Sequence, residues 1–180
     1  MNQLSEEIIC AGFGGQGIMV LGKVLANAGM EKGYNVTWMP SYGAEVRGGT
    51  AYSMVKIDSE TIGSPVVADA DTAFIMNEPS LDKFENRIKK GGLLILNTSI
   101  IKRASKRNDL NIIEADLTDE AIALGNVKVA NMIAIGIYIT KKEAFDKGLF
   151  FSVIEKMAAG QEDLILVNKK AVEKGIEIGS

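Results

Sequence analysis

The chain has 180 residues, 47% of them hydrophobic, and a formal net charge of −3 with a pI near 5.2. That balance offers no broad basic field for nucleic acid, and no apolar run reaches the roughly 20 residues that span a bilayer. There is no histidine and a single cysteine, Cys10. This excludes a histidine base, a Ser–His–Asp triad, and an iron–sulfur cluster or intramolecular disulfide made by this chain alone.

The size predicts one domain over residues 1–180. The start, Met1 to Glu7, is acidic where a secretory leader would be basic, so a cytoplasmic protein is expected. Glu7 to Ala11 reads as a short buried strand with Cys10 as a small core residue. A helix follows from about Gly17 to Lys32, with Ile18, Leu21, Leu25 and Ala28 at helical spacing and Gly33 as its C-terminal cap. Gly22, Ala26 and Gly29 form a small-residue stripe suited to close packing on a sheet. Asn35 to Met39 reads as a second strand stopped by Pro40.

"AYSMVKID" reads as a strand, Asp58-Ser59-Glu60 as a turn, and "TIGSPVV" as a short edge strand, because Pro65 cannot donate to a ladder. "TAFIM" is another buried strand. Asn77 is expected to cap a helix running to about Lys90, with Pro79 in its first turn and Gly91-Gly92 as its stop. "LLILN" and "LNIIEA" are strands. Thr118 is expected to cap a helix to Leu124, and Asn131 to cap the all-apolar helix "ANMIAIGIYIT". Two more helices fill "LFFSVIEKMAA" and "EDLILVNKKAVEKG". The alternation predicts an α/β fold: a three-layer α/β/α sandwich on a mostly parallel but mixed sheet, with a Rossmann-like glycine loop after the first strand.

That loop, Gly12-Phe13-Gly14-Gly15-Gln16-Gly17, fits G-x-G-x-x-G between a strand and a helix. Glycines let a ligand approach the backbone, and a helix start offers free N–H groups to an anion. The second strand, however, ends in Met39-Pro40 with no acidic residue for a ribose. No Lys-Ser or Lys-Thr follows the glycines, which excludes a Walker loop. The plain alternative is a strand-to-helix turn with no ligand. A second polar loop, "SYGAEVRGG", carries Tyr42, Glu45 and Arg47 among glycines. In a doubly wound sheet both loops lie at the carboxyl ends of strands, where ligands bind. Arg47 offers a planar fork for phosphate or carboxylate that Glu45 could orient; an isolated pair there would simply be solvated. Lys102, Arg103, Lys106 and Arg107 read as a solvated charged face, and Asp69 and Asp71 as turn formers at a strand entrance.

Taken together, "GFGGQGIMVLGKVLANAG" and "SYGAEVRGGTAYSMVKI" resemble the gamma subunit of 2-oxoacid:ferredoxin oxidoreductases. "IGSPVV", "ADADTAFIMNEPSLDKF", "GGLLILNTS", "NMIAIG" and "NKKAVEKGIEIG" continue the likeness in order. "RGGTA" followed by "IGSPVV" looks more like the 2-oxoglutarate type than the pyruvate type. Ala44 stands where many relatives have proline. The resemblance implies a subunit without intrinsic cofactor or catalytic residue, assembled with alpha and beta, and in some enzymes delta, subunits. The complex uses thiamine diphosphate, coenzyme A and iron–sulfur clusters, and reduces ferredoxin. Carried over by position, the candidate coenzyme or assembly residues are Gly12, Gly14, Gly15, Gln16, Gly17, Ser41, Tyr42, Gly43, Glu45, Arg47, Gly48, Gly49 and Thr50. The rival readings from the residues alone are a free-standing Rossmann-type reductase or a regulatory ligand-binding module.

Overall fold

The continuous apolar run Ile8–Ala11 forms the centre of a strand buried on both faces. Ile8 and Cys10 point into one core and Ile9 and Ala11 into the other, which is why the run shows no polar alternation. A computed structural model describes residues 3–41 and 50–180. In it β1 (Ser5–Phe13) is followed by α1 (Ile18–Glu31), β2 (Asn35–Ser41), β3 (Thr50–Asp58) and β4 (Ala70–Ile75). Then come α2 (Glu78–Phe84), β5 (Ile88–Asn97), β6 (Asn111–Ala115), α3 (Leu117–Ala123), α4 (Ala130–Lys141), α5 (Lys147–Met157) and α6 (Glu162–Gly179).

The sheet order is β2-β3-β1-β4-β5-β6. β3 runs antiparallel to both neighbours, and the β1–β4, β4–β5 and β5–β6 pairs are parallel. The sheet is therefore mixed and mostly parallel, as the sequence predicts. The two helical layers are unequal. α1, α3, α4, α5 and α6 supply the core on one face. On the other, among the described residues, only α2 contributes helical residues, Leu81 and Phe84, beside Val67, Ile101 and Leu110 from connecting segments. Among the described residues no helix is long and apolar enough to cross a membrane.

The small-residue stripe of α1 lies on β2 and β3. A Cβ at Gly22 would meet Ser53 Oγ and, at 2.7 Å, Trp38 Nε1; one at Gly29 would sit 2.9 Å from Val36 and Ile57. Gly33, at φ +83°, ends the helix by sending its N–H to the Met30 carbonyl while Tyr34 bonds Gly29.

Four local expectations are corrected. β2 does not stop at Met39 but runs through Pro40, which pairs opposite Ser53; β2 is an edge, where a proline nitrogen can face outward. "TIGSPVV" is not a strand. Arg87 takes the carbonyl of its last residue, Val67, and that of the following Ala68, and the Val66 N–H donates to Ser64 Oγ at 3.3 Å, local partners in place of a ladder. The helix capped by Asn77, whose Oδ1 accepts from the Ser80 N–H at 2.9 Å, ends at Phe84 and not at Lys90. A single 3₁₀ turn, Glu85–Arg87, leads directly into β5. Gly91 and Gly92 then lie inside β5, where the register with β4 shifts. Gly91 has φ +75°, and a Cβ at Gly92 would meet the Lys89 carbonyl at 2.8 Å, so the pair forms a bulge instead of a helix stop. Finally, Thr118 is not a cap. Its hydroxyl accepts from Asn97 Nδ2 at 2.8 Å and its N–H donates to Asn97 Oδ1 at 3.3 Å, tying α3 to the end of β5.

In the basic stretch Lys102 and Lys106 are exposed, as a solvated face requires, but the two arginines are not free. Arg103 pairs with Asp82 at 2.6 Å and with buried Glu85 at 3.1 Å. Arg107 clasps Asp109 through two bonds of 2.6 and 2.8 Å and donates to the carbonyls of Glu85 and Ile88. These arginines fasten the β5–β6 connection to the 3₁₀ turn. Asp71 accepts from the Glu7 N–H at 2.8 Å and pairs with Lys89 at 2.9 Å, a structural duty at the strand entrance.

At the amino end of β1, Glu6 is 5% exposed. It accepts from Thr72 at 2.6 Å and Lys142 at 2.8 Å. Burial pushes its pKa above the ordinary 4.5, with Lys142 pulling the other way. The folded chain thus holds this proton more tightly than the unfolded one. The resulting stabilisation is complete below the unfolded value and is lost as pH climbs through the folded value. Glu6→Gln, which can still accept from Thr72, should flatten that part of the stability curve. Urea unfolding of both proteins at about pH 4, 6 and 8 checks it. Parallel curves would show that Lys142 cancels the effect of burial, and a wild type that gains stability over Glu6→Gln as pH rises would show that Lys142 outweighs it.

Candidate functional site

The chain leaves β1 toward α1 on one face of the sheet and leaves β4 toward α2 on the other. The carboxyl ends of these adjacent strands therefore flank a topological switch point, where α/β sheets open a crevice. The glycine loop occupies the β1 side of it, and Met76-Asn77 the β4 side.

The four glycines and Gln16 divide into two groups. Gly12 belongs to β1, opposite Ala51. A Cβ there would lie 2.6 Å from Gln16 Oε1, 2.8 Å from Ile18 Cδ1 and 2.9 Å from Met76 Cβ. Gly17 is the N-cap of α1 in the left-handed conformation, φ 72° and ψ 23°, and a Cβ there would collide with the Asn131 amide. These two positions are glycine for internal reasons. Gly14 and Gly15 differ: among the described residues a Cβ on either meets nothing within 4 Å, although Gly15 also has φ +92°. Both are exposed, and no described residue closes off their backbone.

Gln16 reaches across the crevice. Its Oε1 accepts from the Phe13 N–H at 2.6 Å, and its Nε2 donates to the Met76 carbonyl at 3.0 Å. Asn131 supplies a second anchor. It is 3% exposed, and its Nδ2 donates to the Gly17 carbonyl at 3.1 Å. Its Oδ1 is buried without a partner among the described residues. Asn131 is therefore not the cap of α4, whose N-cap residue is Val129. Sequence reading missed this role; the available signal was a lone polar residue opening a helix that is apolar on every side.

α1 starts at the loop. A helix leaves its first N–H groups without intrahelical partners, so Ile18 to Val20 direct donors and partial positive charge toward Gly14–Gly15. The geometry suits a phosphate or another anion met by backbone.

The described residues on either side of the second loop lie at this end of the sheet. Ser41 closes β2 opposite Tyr52, and Thr50 opens β3 opposite Phe13, the residue preceding Gly14. The structure thus brings Ser41 and Thr50 to the same sheet edge as the glycine loop. Tyr42, Gly43, Glu45, Arg47, Gly48 and Gly49 lie outside the described residues.

The insertion of β3 separates β2 from β1. A dinucleotide fold places its second strand directly beside the first, so that an acid at its end meets the ribose. Here that position is two strands away, which argues against the free-standing reductase. Cys10 is fully buried, and burial pushes its thiol well above the ordinary range, so it stays protonated and unreactive. Among the described residues no group of three or more acidic or cysteine side chains is placed to hold a metal.

Residues 7–178 match the model of the family described as pyruvate ferredoxin/flavodoxin oxidoreductase. Ketoisovalerate oxidoreductase subunit VorA of Methanothermobacter marburgensis is 34% identical over 173 residues, covering 93% of this chain and 35% of that protein. The chain thus spans about a third of the length of that relative. The 2-oxoglutarate synthase subunit KorC of Methanocaldococcus jannaschii is 28% identical over 185 residues, covering 98% of this chain and 95% of that one. In three dimensions the chain resembles 2-oxoglutarate:ferredoxin oxidoreductase from Magnetococcus marinus, solved with 2-oxoglutarate, coenzyme A and succinyl-CoA bound. The TM-score is 0.88 at 20% identity, over 97% of this chain and 31% of that one, a likeness of fold. The chain belongs to the pyruvate ferredoxin/flavodoxin oxidoreductase family and is of the gamma-subunit type that its two glycine-rich loops indicate.

Proposed function

We propose that the chain works as the gamma subunit of a 2-oxoacid:ferredoxin oxidoreductase, contributing its glycine loop to coenzyme A binding and to assembly with alpha, beta and, where present, delta subunits. The observation that carries this reading is the open backbone of Gly14–Gly15 at the switch-point crevice, in front of the α1 amino terminus. Coenzyme A is a polyanion, and the loop offers what a phosphate needs: close access and oriented N–H groups. The other subunits supply thiamine diphosphate for decarboxylation and the clusters that pass electrons to ferredoxin. The relatives are named for ketoisovalerate and for 2-oxoglutarate, both 2-oxoacids. The "RGGTA" and "IGSPVV" stretches favour 2-oxoglutarate, and the product is then its acyl-CoA. The coenzyme A bound in the Magnetococcus enzyme supports the same reading.

Arg47 gives the test its resolution. It is the only cation between Lys32 and Lys56, and its fork binds two oxygens where a lysine offers a point charge. Arg47→Lys should weaken function and Arg47→Ala should weaken it more, by about tenfold or beyond. Co-purification from the native cell, with mass spectrometry of the partners, should first recover thiamine-binding and cluster-binding subunits. In the reconstituted complex, a raised KM for coenzyme A with full assembly places Arg47 on the coenzyme; lost assembly places it at an interface. A chain that turns over a nicotinamide substrate by itself would overturn the proposal.

A further inference from the structure

We infer that Gln16 is a positioning residue and not a ligand contact: it fastens the glycine loop across the β1–β4 crevice so that only Gly14 and Gly15 face outward. The inference rests on the reading of the loop as a coenzyme or assembly element, and it assigns the polar side chain of the motif a different duty from its glycines.

Three observations carry it. Both ends of the Gln16 amide are engaged inside the chain, its oxygen by the Phe13 N–H and its nitrogen by the Met76 carbonyl. Phe13 ends β1 and Met76 directly follows β4, the two strands that flank the switch point, so one side chain fixes the separation of the loop and the end of β4. Met76 is itself held to β1, its N–H donating to the Ala11 carbonyl at 2.8 Å, so the amide extends the strand pairing by one further rung. Finally, the site is shaped to admit it: Gln16 Oε1 lies 2.6 Å from where a Gly12 side chain would begin. Gly12 and Gln16 are therefore one fitted pair. With Gly17 held by Asn131 on the other side, the loop is pinned at both ends, and the Gly14–Gly15 tip projects between the pins. A pre-set loop binds without the cost of ordering it first.

A glutamate side chain has the same shape. Protonated, it can accept from the Phe13 N–H and donate to the Met76 carbonyl; ionised, it turns an oxygen against that carbonyl. This gives a reversible test. Hydrogen exchange is measured over residues 12–18 in the full chain, wild type, Gln16→Met and Gln16→Glu, and the KM for coenzyme A and kcat are measured in the reconstituted complex. Gln16→Met should raise exchange in this segment by about tenfold and raise the KM more than it lowers kcat. Gln16→Glu should behave likewise near neutral pH and regain wild-type protection, after correction for intrinsic exchange, in acid. Unchanged exchange in Gln16→Met together with a raised KM would make Gln16 a direct ligand contact and overturn the inference while leaving the proposed function intact. Raised exchange with wild-type kinetics and assembly would instead overturn the functional role of the loop. Raised exchange that acid does not reverse in Gln16→Glu would show that the Met76 bond is not what holds it.

Discussion

Gly175→Ala is expected to destabilise the chain by about 3 kcal/mol or more, the largest effect of any single methyl added to it. α4 is buried along Ala130 to Tyr138, and α6 lies against it through facing glycines. A Cβ at Gly175 would run into the Ile133 carbonyl and sit 2.8 Å from Gly136 Cα; one at Gly136 would meet the Val172 carbonyl and lie 2.7 Å from Gly175 Cα. The obstacles are helix backbone, which cannot rotate aside as a side chain can, so the helices must separate along their length. Urea unfolding of the isolated chain measures the loss. Gly63→Ala is the control, because nothing lies within 4 Å of its added Cβ. Gly136→Ala combined with Gly175→Ala should cost less than the sum, since either methyl alone forces the same displacement. A loss below 1 kcal/mol in Gly175→Ala would mean that α6 shifts without strain and that the crossing is loosely specified. The amino end of α4 carries Asn131, which pins Gly17. A displaced α4 should therefore also loosen the glycine loop, which lies near the other end of the sequence from Gly175 but is joined to it through this one helix.

Elements with strong local signals were legible in the sequence. β1, α1, β4 and α4 follow from apolar runs, helical spacing and the Gly33 stop, and the glycine loop lies at the same end of the sheet as Ser41 and Thr50, which flank the second polar stretch. What failed had a tertiary cause each time. Gly91-Gly92 is a helix stop by local rules, yet Ile88 pairs with Ala70 and draws the preceding residues into β5, leaving the glycines to form a bulge. "TIGSPVV" has strand composition, but the carbonyl of its last residue, Val67, is captured by Arg87, twenty residues later. Arg103 and Arg107 look solvated until Asp82, Glu85 and Asp109 are brought to them. At the candidate site the spacing of Gly12, Gly14 and Gly17 signals a loop but cannot sort its glycines. That division depends on Met76 and Asn131, 60 and 114 residues from their partners in the loop, which no short motif can contain.

Gly14→Leu should leave the isolated chain as stable as wild type and yet abolish most of the function of the complex. Among the described residues Gly14 has no neighbour within 4 Å of an added Cβ, and it does not occupy the left-handed region, so neither collision nor backbone strain is expected; Gly14→Ala should even gain ~0.5 kcal/mol by restricting the unfolded chain. Gly15 cannot serve this purpose, because at φ +92° any side chain costs about 1 kcal/mol of backbone strain and confounds folding with function. If coenzyme A phosphate or a neighbouring subunit meets this backbone, a leucine side chain stands between them. The expected result is a fall in kcat/KM for coenzyme A of about a hundredfold, roughly 2.7 kcal/mol of lost binding, or a failure to assemble. Gly14→Ala, with one carbon where leucine has four, should fall between. The measurements are a melting temperature for the chain alone, the yield of reconstituted complex, and its kinetics at varied coenzyme A. Normal assembly with a raised KM assigns the tip to the coenzyme, and lost assembly with a normal melting temperature assigns it to a subunit. If the leucine variant assembled fully and kept wild-type kinetics, the open face of Gly14 would touch neither, and the loop would be only the turn that joins β1 to α1.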